Sequence, residues 1–377
     1  MAVVRTAKGK YQATYRGADG RERQQTFSSK LDAQQWERER RADVSRGSWT
    51  DPTRSKLTLG RWAESYMAGR VHLKPKTLAG YESLLRTQIL PRWAEVPLRN
   101  VGHADVVAWV AAMRAGGLSA SRTRQAYHLL SAMLDAAVRD RRLVSNPAGH
   151  VDLPRLPRTE RRYLTHEQLL RFAEACGPYE LLVLVLGRCG LRWGELAALR
   201  VRHVELLRRR LRVVEAMTEV NGVAVFGEPK THQVRDVPFG ASLHERLAQQ
   251  VAGRAPEDFV FPAARGGVFR VNAFRRSTFD AAARSVGLEG LVPHELRHTA
   301  ASLAIAAGAN IKVVQAMLGH ASATLTWDRY GHLYPDDLDT VAERIDTAAS
   351  AVRPRPADSL ADFSRTSRTQ VESAEAS

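Results

Sequence analysis

PHELRHTAASLAIAAGANIKVVQAMLGHASATLTWDRYGHL, residues 293–333, decides how the rest of the chain is read. Leu296, Ala300, Leu303, Ala304 and Ala307 recur at helical spacing, which predicts a helix with one apolar face, stopped by Gly308. Ile311, Val314 and Leu318 mark a second helix, stopped by Gly319, with His320 directly after the stop. A third short helix begins near Thr324 or Thr326 and carries Tyr330. His294 and Arg297, three residues apart, are neighbours on the first helix. Polar side chains at helix ends meet free backbone groups there, and such places can receive an anion.

Three chemistries compete for this stretch. His294-Glu295-Leu296-Arg297-His298 matches H-E-x-x-H, the two-histidine zinc motif of metallopeptidases. That site needs a third ligand. Ala301 stands where the glycine leading to a third histidine belongs, and no glutamate follows before Glu343. Arg297 would also put a positive charge beside the metal. In the second reading His294, Arg297, His320 and Tyr330 surround a phosphate, and the tyrosine is a nucleophile. In the third the helices are ordinary and their histidines belong to surface or core.

Composition favours a polyanion partner. The chain of 377 residues carries a formal charge of +16 and a pI near 10.4, which points to nucleic acid, although an arginine-rich proteome alone would raise the charge too. Cys176 and Cys189 are the only cysteines, too few for a disulfide framework or a cysteine zinc site. No signal peptide opens the chain, and its longest apolar run, from Leu181 to Gly187, is too short to span a bilayer. The expectation is a cytoplasmic protein with no membrane partner.

Taken in order, residues 1–50 predict a hairpin (Tyr11 to Tyr15, a turn at Gly17–Gly20, Arg23 to Phe27) and a helix started by Ser29. Asp51 to Lys56 reads as a linker. Residues 57–150 predict four helices: one marked by Trp62, Tyr66 and Met67; one by Leu78, Tyr81, Leu84 and Leu85, ended by Pro91; one by Val106, Val107, Trp109 and Val110; and one capped by Ser119 or Ser121 with Tyr127, Leu130, Leu134 and Val138 inward. Residues 151–162, rich in proline and arginine, read as an extended basic linker. A further compact unit opens with the capping box Thr165–Gln168. Leu181 to Leu186 predicts a buried helix stopped by Gly190, and Arg192 opens the next, with Glu195 one turn on to orient it. Leu211 to Glu219 and Val223 to Phe226 flank Asn221-Gly222 as a hairpin, and Gln233 to Phe239 is a third strand.

Lys230 lies in the loop before that third strand. It is the only lysine between Lys76 and Lys312 in a chain that otherwise uses arginine. Arginine serves for charge, whereas a lysine whose pKa is lowered can also give up a proton. The expected fold is thus α+β and mostly α. It has a small N-terminal sheet-plus-helix domain (1–50), a helical domain (57–150), a linker (151–162), a mixed α/β domain with a small antiparallel sheet (163–348) and a disordered tail (349–377).

Arg192, Lys230, His294, Arg297, His320 and Tyr330 make a set with no carboxylate pair for a catalytic metal. The guanidinium groups can clamp a phosphodiester, Tyr330 can attack it, Lys230 can protonate the leaving oxygen, and a histidine can accept a proton or bond the phosphate. The order Arg…Lys…His-x-x-Arg…His…Tyr, in the contexts GLRWGEL, HELRH and LGH, resembles the tyrosine recombinase (phage integrase) family. The likeness covers residues 165–345 firmly, 57–150 as that family's core-site binding domain and 1–50 more weakly as its arm-site binding domain.

The resemblance implies phosphate-binding roles for Arg192, Arg297 and His320, an acid–base or hydrogen-bonding role for His294 and a general-acid role for Lys230. It makes Tyr330 the nucleophile of a 3′-phosphotyrosyl link. His298 is assigned to packing. The interval from His320 to Tyr330 is one residue longer than in many members, and Tyr334, one helical turn on, is the alternative nucleophile. The resemblance further implies no cofactor and no metal, attachment sites on double-stranded DNA, and a homotetramer exchanging strands between two duplexes. An accessory DNA-bending protein or directionality factor is a further possible partner. A type IB topoisomerase-like enzyme and a non-catalytic DNA-binding protein on the same fold are the alternatives. The spacing of Leu338, Val341 and Ile345 predicts a further helix, expected to reach a neighbouring protomer.

Overall fold

The computed structural model describes residues 3–47, 49–51, 54–157, 162–229, 234–334 and 338–351. The chain forms two compact units, one built from the chain up to Arg161 together with Ala216–Gly227, the other from the remainder. The architecture is mostly helical with small antiparallel sheets.

The first unit opens with β1 (Val3–Arg5), β2 (Tyr11–Arg16) and β3 (Glu22–Phe27), an antiparallel sheet in that order, followed by α1 (Lys30–Ser45). The hairpin β2–β3 matches the sequence pattern. β1 was not predicted, because three residues are too few to show alternation. Ala13, Tyr15 and Ala33 are buried, and Trp36 meets Tyr15 edge-on at 5.2 Å. The stretch after α1 is tied back to this sheet. Trp49 Nε1 donates to Tyr15 Oη at 3.1 Å, and Arg23 lies between Asp19 at 2.8 Å and Asp51 at 3.1 Å.

The helices that follow are α2 (Leu59–Ala68), α3 (Pro75–Leu84), α4 (Leu90–Trp93), α5 (His103–Ala115) and α6 (Ala120–Arg139). Leu59, Ile89, Trp93, Leu98, Leu130, Met133 and Leu134 are fully buried between them. Trp62 Nε1 donates to Met133 O at 2.8 Å, so this core aromatic also satisfies its polar tip. Pro91 does not end the second helix as expected. The chain passes from α3 to α4 through a wide π-type turn, Leu85–Ile89, with Leu90 N donating to Leu85 O. A wider turn accommodates a residue that has no N–H to give.

In the second unit α7 (His166–Ala175) begins with the expected capping box: Gln168 N donates to Thr165 Oγ1 at 3.2 Å, and Thr165 N to Gln168 Oε1 at 3.0 Å. α8 (Glu180–Cys189) is buried from Leu181 to Gly187 and is packed by α7 and two later helices. After α9 (Trp193–Ala197) come β4 (Val204–Glu205) and β5 (Arg210–Val213). The strand expected from Leu211 to Glu219 is instead broken after Val213. Its second half, β6 (Ala216–Val220), pairs with β7 (Val223–Gly227), and that hairpin belongs to the first unit, where Lys76 Nζ donates to Glu219 O at 2.8 Å. β8 (Arg235–Pro238) returns to complete the sheet β4–β5–β8. A continuous run of strand-forming residues in sequence does not reveal that its two halves join different sheets.

α10 (Ala241–Val251) packs on α8; α11 (Val271–Phe274) and α12 (Asp280–Ser285) flank a second π-type turn. Residues 293–333 form α13 (Pro293–Ala306), α14 (Ile311–Leu318) and α15 (Ala323–Tyr330), and α16 (Leu338–Ala351) follows. The buried face of α13 is rotated from the predicted one. Leu296, Arg297, Ala300, Ala301 and Ile305 are buried, while Leu303 and Ala304 are half-buried and Ala307 is exposed. Thus a charged residue sits on the inward stripe. Among the described residues no helix is long and apolar enough to cross a membrane.

Candidate active site

The site is built around the C-terminal end of α14. A helix leaves its last carbonyls without partners inside the helix. Here three successive carbonyls each receive a different guanidinium. Arg235 Nε donates to Met317 O at 3.2 Å, Arg297 Nη2 to Leu318 O, and Arg192 Nη2 to Gly319 O at 3.2 Å. Arg297 Nη1 adds a bond of 2.6 Å to Gly190 O at the end of α8. Gly190 (φ 68°) and Gly319 (φ 61°) are both left-handed. That conformation, cheap only for glycine, ends each helix and turns a carbonyl to an arginine.

One carboxylate organises two of these arginines. Glu195, in the first turn of α9, has a fully buried side chain. Its Oε1 accepts from Arg192 Nη1 at 2.7 Å and Arg235 Nη1 at 3.0 Å; its Oε2 accepts from Arg235 Nη2 at 2.6 Å and Arg192 N at 2.9 Å. Burial alone would push its pKa up. The Arg235 hydrogen bonds, then the Arg235 and Arg192 charges, outweigh this and hold it at about 2. Three cations against one anion leave excess positive charge. Arg297, 2 % exposed, is pushed down to about 9 by burial and then by Arg192. His320 is pushed down to about 4 by burial, then by Arg297 and Arg192. Such a field suits an anionic ligand with several oxygens, such as a phosphodiester.

The tyrosine stands beside this field. α15 is started by Ser322, whose Oγ accepts from Leu325 N at 3.2 Å, and it ends at Tyr330. The Tyr330 ring is fully buried and lies parallel to His320, with centroids 6.2 Å apart and planes within 3°. Its Oη is 2.7 Å from His298 Nδ1. Thr326 Oγ1 holds His320 Nδ1 at 2.9 Å.

The structure therefore brings Arg192, Arg297, His320 and Tyr330 together. His294 is exposed in the first turn of α13, its ring edge-on to His298 at 4.9 Å. Lys230 lies outside the described residues. His298 is buried as expected, yet it touches the Tyr330 hydroxyl as well as the core. Tyr334 differs from Tyr330: its ring stacks on Trp327 at 6.1 Å, and its buried Oη has no hydrogen-bond partner among the described residues. Glu295 Oε2 accepts from Val292 N at 2.9 Å and its Oε1 from Arg162 N at 3.3 Å, so the carboxylate of the H-E-x-x-H match caps a helix start. Sequence reasoning missed Arg235. The one available signal was Glu195, whose apolar neighbourhood called for a second cation.

A profile described as the phage integrase family matches residues 162–336. The integrase of prophage phiRv2 from Mycobacterium tuberculosis is 30% identical over 346 residues, spanning 86% of this chain and 89% of the relative. The chain belongs to the phage integrase family. It is a tyrosine-type site-specific recombinase, an integrase of a phage or other mobile element. Two solved integrases share its fold. One is the Tn1549 transposon integrase in complex with a circular intermediate DNA (TM-score 0.66, 22% identity, 78% of this chain and 99% of that one). The other is the lambda integrase tetramer bound to a Holliday junction (TM-score 0.56, 19% identity, 89% and 95%).

Proposed function

We propose that this integrase cleaves and rejoins double-stranded DNA at attachment sites through a 3′-phosphotyrosyl bond to Tyr330. The observation that carries the reading is the cluster of arginines at the end of α14, with the Tyr330 ring lying along His320. Arg192 and Arg297 bind the non-bridging oxygens of the scissile phosphate and stabilise the charge that grows on them. His320 and His294 bond the phosphate or its proton. Lys230 protonates the departing 5′ oxygen. The ester's energy is kept in the tyrosyl bond, so strand exchange needs no nucleotide hydrolysis.

Residues 57–150 and 1–50 are read as the units that hold core-site and arm-site DNA. A homotetramer is supported by the lambda integrase assembly on a junction. The helix α16, with Ile345 63% exposed, is the segment proposed to reach a neighbouring protomer. Deleting the chain after Asp336 then abolishes tetramers on DNA, and unchanged recombination would rule that arm out.

The test of the reading is a nicked duplex of the element's attachment sequence that traps the covalent complex. The adduct forms with chelator present, maps to a 3′-phosphate and disappears in Tyr330→Phe. Joining of two duplexes separates recombination from simple relaxation of supercoils. An adduct that survives Tyr330→Phe overturns the assignment.

A further inference from the structure

We propose that His298 is a catalytic residue: it takes the phenolic proton of Tyr330 as the hydroxyl attacks phosphorus, and returns it when the strand is rejoined. The inference rests on Tyr330 being the nucleophile and assigns its proton to His298 rather than to His294 or His320.

A tyrosine hydroxyl has an ordinary pKa of about 10, so roughly one molecule in a thousand is phenolate at neutral pH. Attack therefore requires a base within hydrogen-bond reach. His298 Nδ1 is at 2.7 Å from Oη. Both partners are buried, His298 at 7% and Tyr330 at 0% exposure, so bulk water does not compete for the proton. The other histidines are worse placed. His320 lies face-parallel to the phenol, with its Nδ1 committed to Thr326, and the surrounding arginines oppose its protonation. His294 is exposed in the first turn of α13 and meets His298 edge-on at 4.9 Å.

α13 explains how one short segment supplies both functions. Successive residues of a helix point about 100° apart. Arg297 reaches the ends of α8 and α14, and His298 reaches the last residue of α15. His298 meets His294 from its own helix and Tyr330 from α15, and the ring of His320 lies on the far side of the contact as a neighbour of Tyr330. In the forward step the Oη–P bond forms and the P–O5′ bond breaks. The phenolic proton moves to His298 Nδ1, and O5′ takes a proton from the general acid assigned above. Rejoining reverses each transfer.

The experiment measures single-turnover adduct formation by the full chain. Its substrate is a nicked attachment-sequence duplex whose bridging 5′ oxygen at the cleavage point is sulfur. A thiolate leaves without being protonated, so the rate reports the nucleophile's side alone. His298→Ala is expected to slow adduct formation about 100-fold at pH 7. Its rate should rise about tenfold per pH unit from pH 6.5 to 9, and added imidazole should restore it. His298→Asn, which keeps a hydrogen-bonding group at this position but cannot take up the proton, should be as slow as His298→Ala. An Asn variant close to wild type would reduce His298 to a positioning residue and overturn the proposal. An Ala variant close to wild type would do so outright. If His298→Ala does not fold, the pH profile of His298→Asn decides. Loss of the adduct in Tyr330→Phe is scored separately. An adduct that persists there removes the nucleophile assignment itself, whatever the His298 variants do.

Discussion

Arg235 grips the fully buried carboxylate of Glu195 with both terminal nitrogens, at 3.0 and 2.6 Å. A strand and a helix start are joined there, and Arg192 is attached to the same carboxylate at 2.7 Å. A two-pronged charged pair of this kind fixes direction as well as distance. Arg235 needs no contact with DNA to matter, because it fixes the carboxylate on which Arg192 is aimed.

Removing one partner of a buried pair strands the other charge. Glu195→Gln should therefore cost about 3 kcal/mol of stability in a denaturant titration. Adduct formation under folding conditions should also fall at least tenfold, because Arg192 loses its anchor. An unaltered melting curve would show that the pair is not structurally important.

Acid should weaken the fold in two windows. Glu195 is held at about 2, below its ordinary 4.5, so its contribution is present above that ordinary value and is lost as pH falls toward 2. His320 is held at about 4, below 6.5, so its unfolded form binds protons first, and stability declines as pH falls from 6.5 toward 4. Unfolding free energies measured from pH 7 to 3 should show both declines. Glu195→Gln should flatten the lower one and His320→Gln the upper one.

Gly319→Ala tests the left-handed turn beneath the arginines. A Cβ there would lie 2.9 Å from Arg235 Cδ, in a conformation with φ 61° that costs a non-glycine residue about 1–2 kcal/mol. The expected result is a modest loss of stability and a much larger loss of DNA cleavage. Equal losses would indicate a purely structural glycine.

The two tyrosines should part company on substitution. Tyr334→Phe removes a buried hydroxyl that has no partner among the described residues, so stability should be unchanged or slightly raised and adduct formation retained. Tyr330→Phe breaks the bond to His298, should cost about 1 kcal/mol, and should abolish the adduct. Adduct lost only in Tyr334→Phe would reverse the assignment.

The two thiols should stay silent in the native protein. Burial pushes both Cys176 and Cys189 up to about 12, leaving almost no thiolate at pH 8. Alkylation should appear only with global unfolding, as read by mass spectrometry across a denaturant series.

Local rules made much of this protein legible. The capping box at Thr165, the stops at Gly190 and Gly319 and the Asn221-Gly222 turn are short-range chemistry, and each appears where the sequence placed it. The family resemblance also followed from the order of Arg192, Lys230, His294, Arg297, His320 and Tyr330, since order along a chain is a property of sequence. The strand-forming run from Leu211 to Glu219 could not say which sheet each half would join. Helical spacing in α13 misjudged the inward stripe, because Arg297 is drawn into the core by carbonyls of two other helices. Only the folded chain brought Arg235 to Glu195 and His298 to the Tyr330 hydroxyl. Those pairs span 40 and 32 residues of sequence, and a hydrogen bond acts only over about 3 Å in space.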